Sequence, residues 1–205
     1  MKERPILFND QMVRAILEGR KTATRRIAKP VKHPDLGNIY APGALVLERE
    51  PQHVIDRACP YGQPGDRLWV REAWQGPLIS DEEQAANQSW WKDMTKFQNP
   101  GHCAYRASGD DNEYVDPDGY FHCKWKPSIH MPRWASRILL EITAVRVERL
   151  QDISDPGALA EGVSHSEMHS GDSLVDVFAR LWESTGGDWA ANPWVWVVEF
   201  KRVTP

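Results

Sequence analysis

The chain has 205 residues, of which 41% are hydrophobic and 26% are charged, and its formal net charge is −4. This composition is typical of one globular domain with room for an insertion, and no apolar run approaches the ~20 residues that a membrane-spanning helix needs. Net acidity argues against a protein that binds nucleic acid through one broad basic face. Since the first residues lack the apolar stretch of a signal peptide, we expect a cytoplasmic protein with no membrane partner.

The first predicted elements are a strand over residues 5–8 and a short amphipathic helix. Asn9 or Asp10 is suited to cap the start of this helix, and Gly19 is suited to end it. The apolar residues of the helix recur at helical spacing: Met12, Val13, Ile16 and Leu17. We therefore expect residues 21–26 to form a tight exit loop just beyond the helix.

That exit segment is the most basic part of the chain. Residues 1–33 contain nine Lys or Arg against three Asp or Glu, a local balance of +6, so the rest of the chain carries −10. The segment 19–26 reads Gly-Arg-Lys-Thr-Ala-Thr-Arg-Arg. A basic cluster on an acidic protein attracts a local anion, such as a phosphate group.

The middle of the chain predicts short strands and then an insertion. Strands are expected over 45–47, 54–58 and 67–74, with a turn at 63–66. Residues 76–133 are rich in Asp, Gly, Asn, Pro and aromatic residues, which predicts an insertion. Within it we expect a hairpin that pairs residues 103–106 with residues 120–125.

The C-terminal third has the clearest periodicity. It predicts a long strand over 137–150, a helix over 155–161 that ends at Gly162, an amphipathic helix over 174–182 and a closing strand over 194–200. The element order predicts a single α+β domain, residues 1–205. We expect a small, mostly antiparallel β-barrel or bent sheet, flanked by helices and carrying a long insertion at about 76–133.

Two His-Cys pairs raise the question of a zinc site. His102-Cys103 and His122-Cys123 have suitable ligand types, and Cys59 is a further candidate. The usual zinc spacings are absent, and neighbouring residues of a strand point to opposite faces. The alternative is a pair of strands with small, buried cysteines. We expect no metal and no cofactor.

The chain contains ten tryptophans, most of which we expect to pack in or beside the core. An aromatic side chain can also stack on a nucleic-acid base. Trp134, which lies beside Arg133 and Arg137, is the best candidate for such stacking.

Several motifs in order resemble a known family, the ASCH domain, which belongs to the PUA-like β-barrels associated with RNA. The resemblance covers residues 4–75 and 134–202 and is closest to the larger ASCH proteins of bacteria and phages. It rests on four features: a Gly-x-Lys-x-x-Thr-x-Arg start (Gly19, Lys21, Thr24, Arg26), a Pro-Gly-Asp turn at 64–66 before a Leu-Trp-Val strand, Ala-Glu-Gly at 160–162, and a final Trp-Val-Val-Glu-Phe strand at 196–200.

The resemblance implies an activity, because some small ASCH proteins hydrolyse N4-acetylcytidine with a Lys, a Thr and a Glu. Lys21 and Thr24 match the first two directly. Glu161 is the match for the third, with Glu167 as a competitor. The implied substrate is an N-acylated nucleoside, free or within single-stranded RNA, and no obligate protein partner is implied.

The residues themselves are compatible with this chemistry. A lysine acts as a base only when neutral, and burial and neighbouring cations lower its pKa. If a turn brings the two side chains together, Lys21 can take the proton of the Thr24 hydroxyl, while Glu161 holds the lysine or passes a proton to the leaving amine. The backbone of the turn that begins at Gly19, or the Arg26 side chain, can stabilise the oxyanion. Arg25 and Arg26 are further candidates for phosphate or carbonyl contacts.

Two other interpretations stay open from sequence. The same residues suit a non-catalytic module that binds RNA or a modified nucleotide through phosphate contacts and stacking. They also suit a solvated basic turn that holds an anion and does nothing more. A ribonuclease ordinarily needs a His or a metal near the scissile phosphate, and neither lies in the 19–26 segment.

Overall fold

The computed structural model describes residues 1–86, 89–111, 113–115, 118–122 and 124–204. Its strands are β1 (Glu3–Leu7), β2 (Ala23–Ile27), β3 (Val31–Lys32), β4 (Ile39–Tyr40), β5 (Arg67–Arg71), β6 (Trp74–Gln75), β7 (Ala104–Tyr105), β8 (Tyr114–Val115), β9 (Phe121–His122), β10 (Leu139–Arg149) and β11 (Trp194–Val203). Its α-helices are α1 (Asp10–Leu17), α2 (Ala44–Leu47), α3 (Gln52–Ala58), α4 (Asp81–Ala86), α5 (Asp155–Ala160) and α6 (Leu174–Ser184). Short 3-10 helices cover Trp90–Lys92, Met94–Phe97, Pro100–His102, Arg106–Ser108, Ser128–His130, Arg133–Ala135, Leu150–Asp152 and His165–Glu167.

The main sheet has five strands in the order β1-β5-β10-β11-β2. β2 runs antiparallel to β11, with Thr24 opposite Val198 and Arg25 opposite Val197. Three further pairs are two-stranded: β3 with β4, β6 with β7, and β8 with β9. The prediction of a mixed α+β fold is confirmed, whereas closure of the sheet into a barrel stays a prediction.

The start of the chain folds largely as its sequence predicts. The Asn9 side chain caps α1 by accepting a hydrogen bond of 2.9 Å from the Met12 backbone N–H. Gly19 follows the helix at φ +77°, a left-handed conformation that glycine adopts without steric cost. The predicted exit loop is wrong beyond residue 22, because Ala23 already begins strand β2.

Two predicted strands are helices. Residues 44–47 form α2 after Gly43, which has φ +82°, and residues 52–58 form α3 after Pro51. Proline suits the start of a helix because its fixed φ is already helical and its missing N–H costs nothing there. A short apolar run fits a buried strand and a buried helix equally well, so periodicity cannot separate them.

The predicted hairpin within the insertion pairs differently. β7 pairs with β6, Ala104 opposite Gln75 and Tyr105 opposite Trp74, rather than with residues 120–125. β9 pairs with β8 instead. Cys123, which falls in the predicted second strand of that hairpin, lies outside the described residues.

The chain divides into two compact units. The first comprises Met1–Arg4, Ala15–Leu68 and Leu140–Val203, and the second comprises Pro5–Arg14 and Trp69–Leu139 with Thr204. One buried cluster of the first unit contains Leu150, Ile153, Ala158, Val163, Leu174, Val177, Phe178, Trp182, Val195 and Val197. A cluster of the second unit contains Trp74, Tyr105, Met131 and Ala135. The predicted insertion, residues 76–133, falls within the second unit.

The second unit also contains an ion pair, whose carboxylate is buried and whose guanidinium is half-buried. Glu72 is 0% exposed. Its two carboxylate oxygens accept hydrogen bonds from Arg137 Nε at 3.0 Å and Arg137 Nη2 at 2.9 Å. The Arg137 guanidinium lies over the Tyr105 ring, 3.9 Å from its centroid, and its Nη1 donates to Ser108 Oγ at 2.7 Å. Arg137 therefore uses each of its guanidinium nitrogens in a local contact.

Candidate functional site

A buried lysine–glutamate pair lies in the first unit. The Lys21 Nζ is 2.6 Å from Glu161 Oε2 and donates a second hydrogen bond of 2.9 Å to the Glu161 backbone carbonyl. Lys21 is 2% exposed and Glu161 is 3% exposed. Burial of a charge carries a large desolvation free energy unless the charge is paired and hydrogen-bonded. Here the two charges pair with each other.

Two glycines position this pair. Lys21 follows the left-handed Gly19, and its backbone N–H donates to the Ala15 carbonyl at 3.0 Å. Glu161 ends α5 and is followed by Gly162 at φ +94°. A Cβ at Gly162 would lie 2.8 Å from the Ala15 Cβ and 3.0 Å from the Lys21 Cβ. The close approach of the two segments therefore depends on glycine at position 162.

Arg25 extends the pair into a network of charges. Its Nη1 is 3.3 Å from Glu161 Oε1, and its Nη2 is 2.8 Å from Glu148 Oε1. The guanidinium also lies over the Phe178 ring, 5.7 Å from the centroid. Arg25 is 4% exposed, so its contacts are made inside the unit. In this position Arg25 orients the Glu161 carboxylate that Lys21 also contacts.

Burial lowers the pKa of the Lys21 ammonium below its usual value of 10.5. The charge of Glu161 and its hydrogen bond oppose this shift, while the nearby charges of Arg26 and Arg25 add to it. A lysine in this environment releases its proton more easily than one on a protein surface. Lys21 is therefore suited to exchange a proton with a group beside it.

Arg26 and Tyr61 form a half-buried edge near this network. Burial lowers the pKa of the Arg26 guanidinium, and the charges of Tyr61 and Glu161 oppose the shift. Burial also raises the pKa of the Tyr61 hydroxyl, which Arg26 opposes. The Arg26 guanidinium thus interacts electrostatically with both the Tyr61 hydroxyl and the Glu161 carboxylate. Sequence reasoning missed Tyr61 and Glu148, since nothing in their local patterns marks them.

Thr24 occupies a different position from the one expected. It is 2% exposed and lies within β2, not in a turn. Successive side chains of a strand point to opposite faces, so Thr24 and Arg26 alternate with Ala23 and Arg25. The expected turn between Lys21 and Thr24 is therefore wrong, and the role of Thr24 stays a prediction.

The remaining candidates are placed as follows. Trp134 belongs to the second unit, where its ring packs edge-on against Trp74 at a centroid distance of 5.5 Å. Glu167, the competitor of Glu161, accepts a 2.7 Å hydrogen bond from the Ser164 backbone N–H in a capping box. Of the predicted residues, the structure thus brings Lys21 and Arg25 each into direct contact with Glu161.

The two described cysteines are free thiols. Burial raises the pKa of Cys59 to about 11. Burial also raises the pKa of Cys103, and the neighbouring His102 contacts Glu83 at 2.8 Å. Within the described ranges, no group of three or more His, Cys, Asp or Glu side chains is arranged to hold a metal ion. Cys123 lies outside those ranges.

Comparison with known proteins gives only distant structural similarity. No protein-family model matches the sequence, and no curated protein matches it. An ASCH domain from Lactobacillus crispatus superposes with a TM-score of 0.38 at 16% identity, over 100% of this chain and 81% of that chain. Protein EF3133 from Enterococcus faecalis, a DUF984 protein, superposes with a TM-score of 0.39 at 12% identity, over 100% of this chain and 82% of that chain. The assignment to a family stays a prediction.

In the part of the chain that the structure describes, none of the helices has both the length and the apolar character required to span a bilayer.

Proposed function

We propose that this protein is an amidohydrolase that removes the acyl group from an N-acylated nucleoside, with N4-acetylcytidine as the model substrate. One observation carries the proposal: the Lys21 Nζ is buried and lies 2.6 Å from the Glu161 carboxylate, in an environment that lowers its pKa. The resemblance of residues 19–26 to ASCH amidohydrolases supports the same assignment. The proposal places Lys21, Thr24 and Glu161 in the catalytic machinery.

The proposed role of Lys21 is proton transfer. Neutral Lys21 accepts the proton of the attacking hydroxyl, and the resulting ammonium donates a proton to the leaving amine as the C–N bond breaks. Glu161 orients Lys21 and stabilises its charged form. A carboxylate 2.6 Å away supplies this stabilisation without a metal or cofactor in the step.

Thr24 is the proposed nucleophile. Its hydroxyl oxygen forms a bond to the acyl carbon, the nucleoside amine leaves, and water then hydrolyses the acyl-threonine ester to regenerate the hydroxyl. The reaction consumes one amide and one water and gives one carboxylate, one amine and one proton. Thr24 lies in a strand, and its side chain alternates with that of Arg25, which contacts Glu161. Proton transfer between the Thr24 hydroxyl and Lys21 is therefore the step of the proposal that most needs its own test.

Arg26, Arg25 and Tyr61 have supporting roles in this proposal. The half-buried Arg26 is suited to stabilise the oxyanion of the tetrahedral intermediate or to hold a nearby phosphate. Tyr61 supplies an aromatic surface for the base. Arg25 binds Glu148 and Glu161. Its proposed role therefore changes from a substrate contact to a residue that positions Glu161.

The direct test is acetate release from N4-acetylcytidine by the purified protein, with cytidine measured in parallel by chromatography. We expect turnover in the wild type and a loss of at least about 100-fold in Lys21→Met, the scale of general acid–base catalysis. Lys29→Met is the matched control, since Lys29 is an exposed lysine of the same basic segment. Wild-type protein that releases no acetate, from the free nucleoside or from acetylated RNA, contradicts the proposal.

The nucleophile is tested separately. Thr24→Ser should retain activity and Thr24→Val should lose it, while both variants keep the wild-type circular dichroism spectrum. Rapid acid quenching during turnover should trap an acetyl group on the peptide that contains Thr24. Full activity in Thr24→Val would instead assign the attack to water.

The second candidate function is a non-catalytic module that binds RNA or a modified nucleotide. The observation that favours it is the exposed basic side chains Lys29 and Lys32, beyond the buried pair. A fluorescent single-stranded RNA should then bind equally well to wild type and to Lys21→Met, more weakly to Lys29→Met, and more weakly as salt rises. Binding that is insensitive to salt would count against phosphate contacts.

A further inference from the structure

A second candidate site lies in the second unit, within the insertion. A cleft of about 1360 Å³ is bounded by the start of α4, two successive 3-10 helices and the segments around residues 101 and 113. Half-buried apolar side chains form one part of its lining: Pro77, Leu78, Ile79 and Met94. None of the residues assigned to the proposed amide hydrolysis lies in it.

Two tryptophans give the cleft exposed aromatic surfaces. The rings of Trp90 and Trp91 are 6.1 Å apart and nearly perpendicular, at 85°. Trp91 is 56% exposed. Large apolar side chains are seldom this exposed, and exposed apolar surface often marks a binding site. Perpendicular indole rings present two π faces in different directions, and each of them attracts a cation.

The charges of the lining have one sign. Four carboxylates line the cleft: Asp81, Glu82, Glu83 and Glu113. Among the described lining residues there is no lysine and no arginine. Asp81 and Glu82 are exposed in the first turn of α4, and Glu113 is exposed on another segment. The cleft is therefore complementary to a ligand with several positive charges.

One carboxylate fixes the shape of the cleft. Glu83 Oε1 contacts His102 Nε2 at 2.8 Å, and Glu83 Oε2 accepts hydrogen bonds from the Ser80 backbone N–H at 3.1 Å and from Ser80 Oγ at 2.9 Å. His102 in turn contacts Asn99 Oδ1 at 3.1 Å. The contacts of Glu83 are thus structural, so ligand binding falls to the other three carboxylates and the tryptophans.

We propose that this cleft binds a basic polypeptide segment through its lysine and arginine side chains. Long cationic side chains lay their apolar stems on surfaces such as Leu78 and Met94 while their charged ends reach carboxylates and indole faces. The volume exceeds the roughly 300–1,000 Å³ of pockets that enclose a small molecule. The separated carboxylates also fit cations spaced along an extended chain better than one compact amine.

The test uses a fluorescein-labelled peptide of alternating Gly-Lys-Arg repeats and an acidic peptide of the same length. Binding to the full chain is followed by fluorescence anisotropy at low and moderate salt. We expect the basic peptide to bind and the acidic one not to bind. Trp91→Ala and Glu82→Gln should each weaken binding about fivefold, a change in line with one cation–π or one charged contact.

Two matched variants control for general effects of charge and exposed aromatic surface. Glu183→Gln removes an exposed carboxylate of the first unit, and Tyr120→Ala removes an aromatic side chain that is 69% exposed and is not part of the cleft lining. Both should bind like the wild type, and all four variants should retain the wild-type melting temperature within a few degrees. Equal binding by cleft and control variants overturns the proposal. Displacement of the peptide by spermidine at equal concentration of charge also overturns it, since the site would then be one for small amines.

Discussion

Each unit contains an ion pair with a buried carboxylate, and the two pairs are built differently. In the second unit, Arg137 donates hydrogen bonds to both carboxylate oxygens of Glu72, and its guanidinium lies over the Tyr105 ring. In the first unit, Lys21 and Arg25 share the carboxylate of Glu161. Arginine and lysine differ here as residue types, because a buried lysine can lose its proton far more readily than an arginine.

The pKa directions follow this difference. Burial raises the pKa of the Glu72 carboxyl, and the bidentate contact with Arg137 opposes the rise. Burial lowers the pKa of the Lys21 ammonium, and Glu161 opposes the fall. The first arrangement is suited to hold the second unit together, and the second is suited to move a proton. The free energy of unfolding distinguishes these two roles.

The largest expected effect is in the second unit. Glu72→Ala should lower the free energy of unfolding by about 3 kcal/mol, because removal of one partner leaves the Arg137 charge without its carboxylate. Urea denaturation followed by circular dichroism measures this. Glu141→Ala is the control, since Glu141 pairs with the 61%-exposed Lys201 side chain. It should cost less than about 1 kcal/mol. Equal losses of unfolding free energy in the two variants would contradict a structural role for the Glu72–Arg137 pair.

The next effect tests the close approach beside Lys21. Gly162→Ala should cost about 2 kcal/mol, because the new Cβ meets Ala15 and Lys21 and the backbone has a left-handed φ. Gly171→Ala shares that φ, +91°, but has no atom within 4 Å of the added Cβ. Its cost therefore reports the backbone conformation alone, about 1 kcal/mol. If both substitutions cost the same, crowding at position 162 contributes nothing.

A smaller effect is expected at the lysine itself. Lys21→Met should change the free energy of unfolding by no more than about 1 kcal/mol, because methionine is similar in length and pays no charge desolvation. Arg25, which lies 3.3 Å from the Glu161 carboxylate in the wild type, is a second cationic partner for that carboxylate. Urea denaturation of Lys21→Met and Glu72→Ala under the same conditions compares their free energies of unfolding directly. A loss as large as that of Glu72→Ala would make Lys21 a structural residue like Arg137.

The last effect is the pH dependence of that difference. Between the lowered pKa of Lys21 and its usual 10.5, the unfolded chain binds more protons than the folded one. Unfolding free energy therefore rises with pH in this window, by at most about 1.4 kcal/mol per pH unit for one proton. The rise should be present in the wild type and absent in Lys21→Met when both are measured at pH 7.5 and 9.5. A wild-type advantage that falls with rising pH has the opposite sign and contradicts a lowered pKa.

Local patterns predicted the elements whose signals are local. The cap at Asn9, the helix end at Gly19, the long strand β10 and the helix α6 follow from side chains a few residues apart. The same reasoning missed α2 and α3, because apolar runs of three to five residues carry no period that separates helix from strand. It also paired the strands of the insertion wrongly, since which strands pair depends on contacts far apart in sequence.

The candidate site shows the same difference between local signals and long-range contacts. The sequence by itself determined the types of residue present: a lysine in a basic segment after a helix, and a glutamate before a glycine at a helix end. Tertiary structure decided that Lys21 and Glu161, 140 positions apart, meet at 2.6 Å. It also decided that Arg25 binds carboxylates inside the unit and that Trp134 packs in the second unit. Burial, and with it the lowered pKa of Lys21, is a property of the folded surroundings, which is why composition and spacing alone did not reveal it.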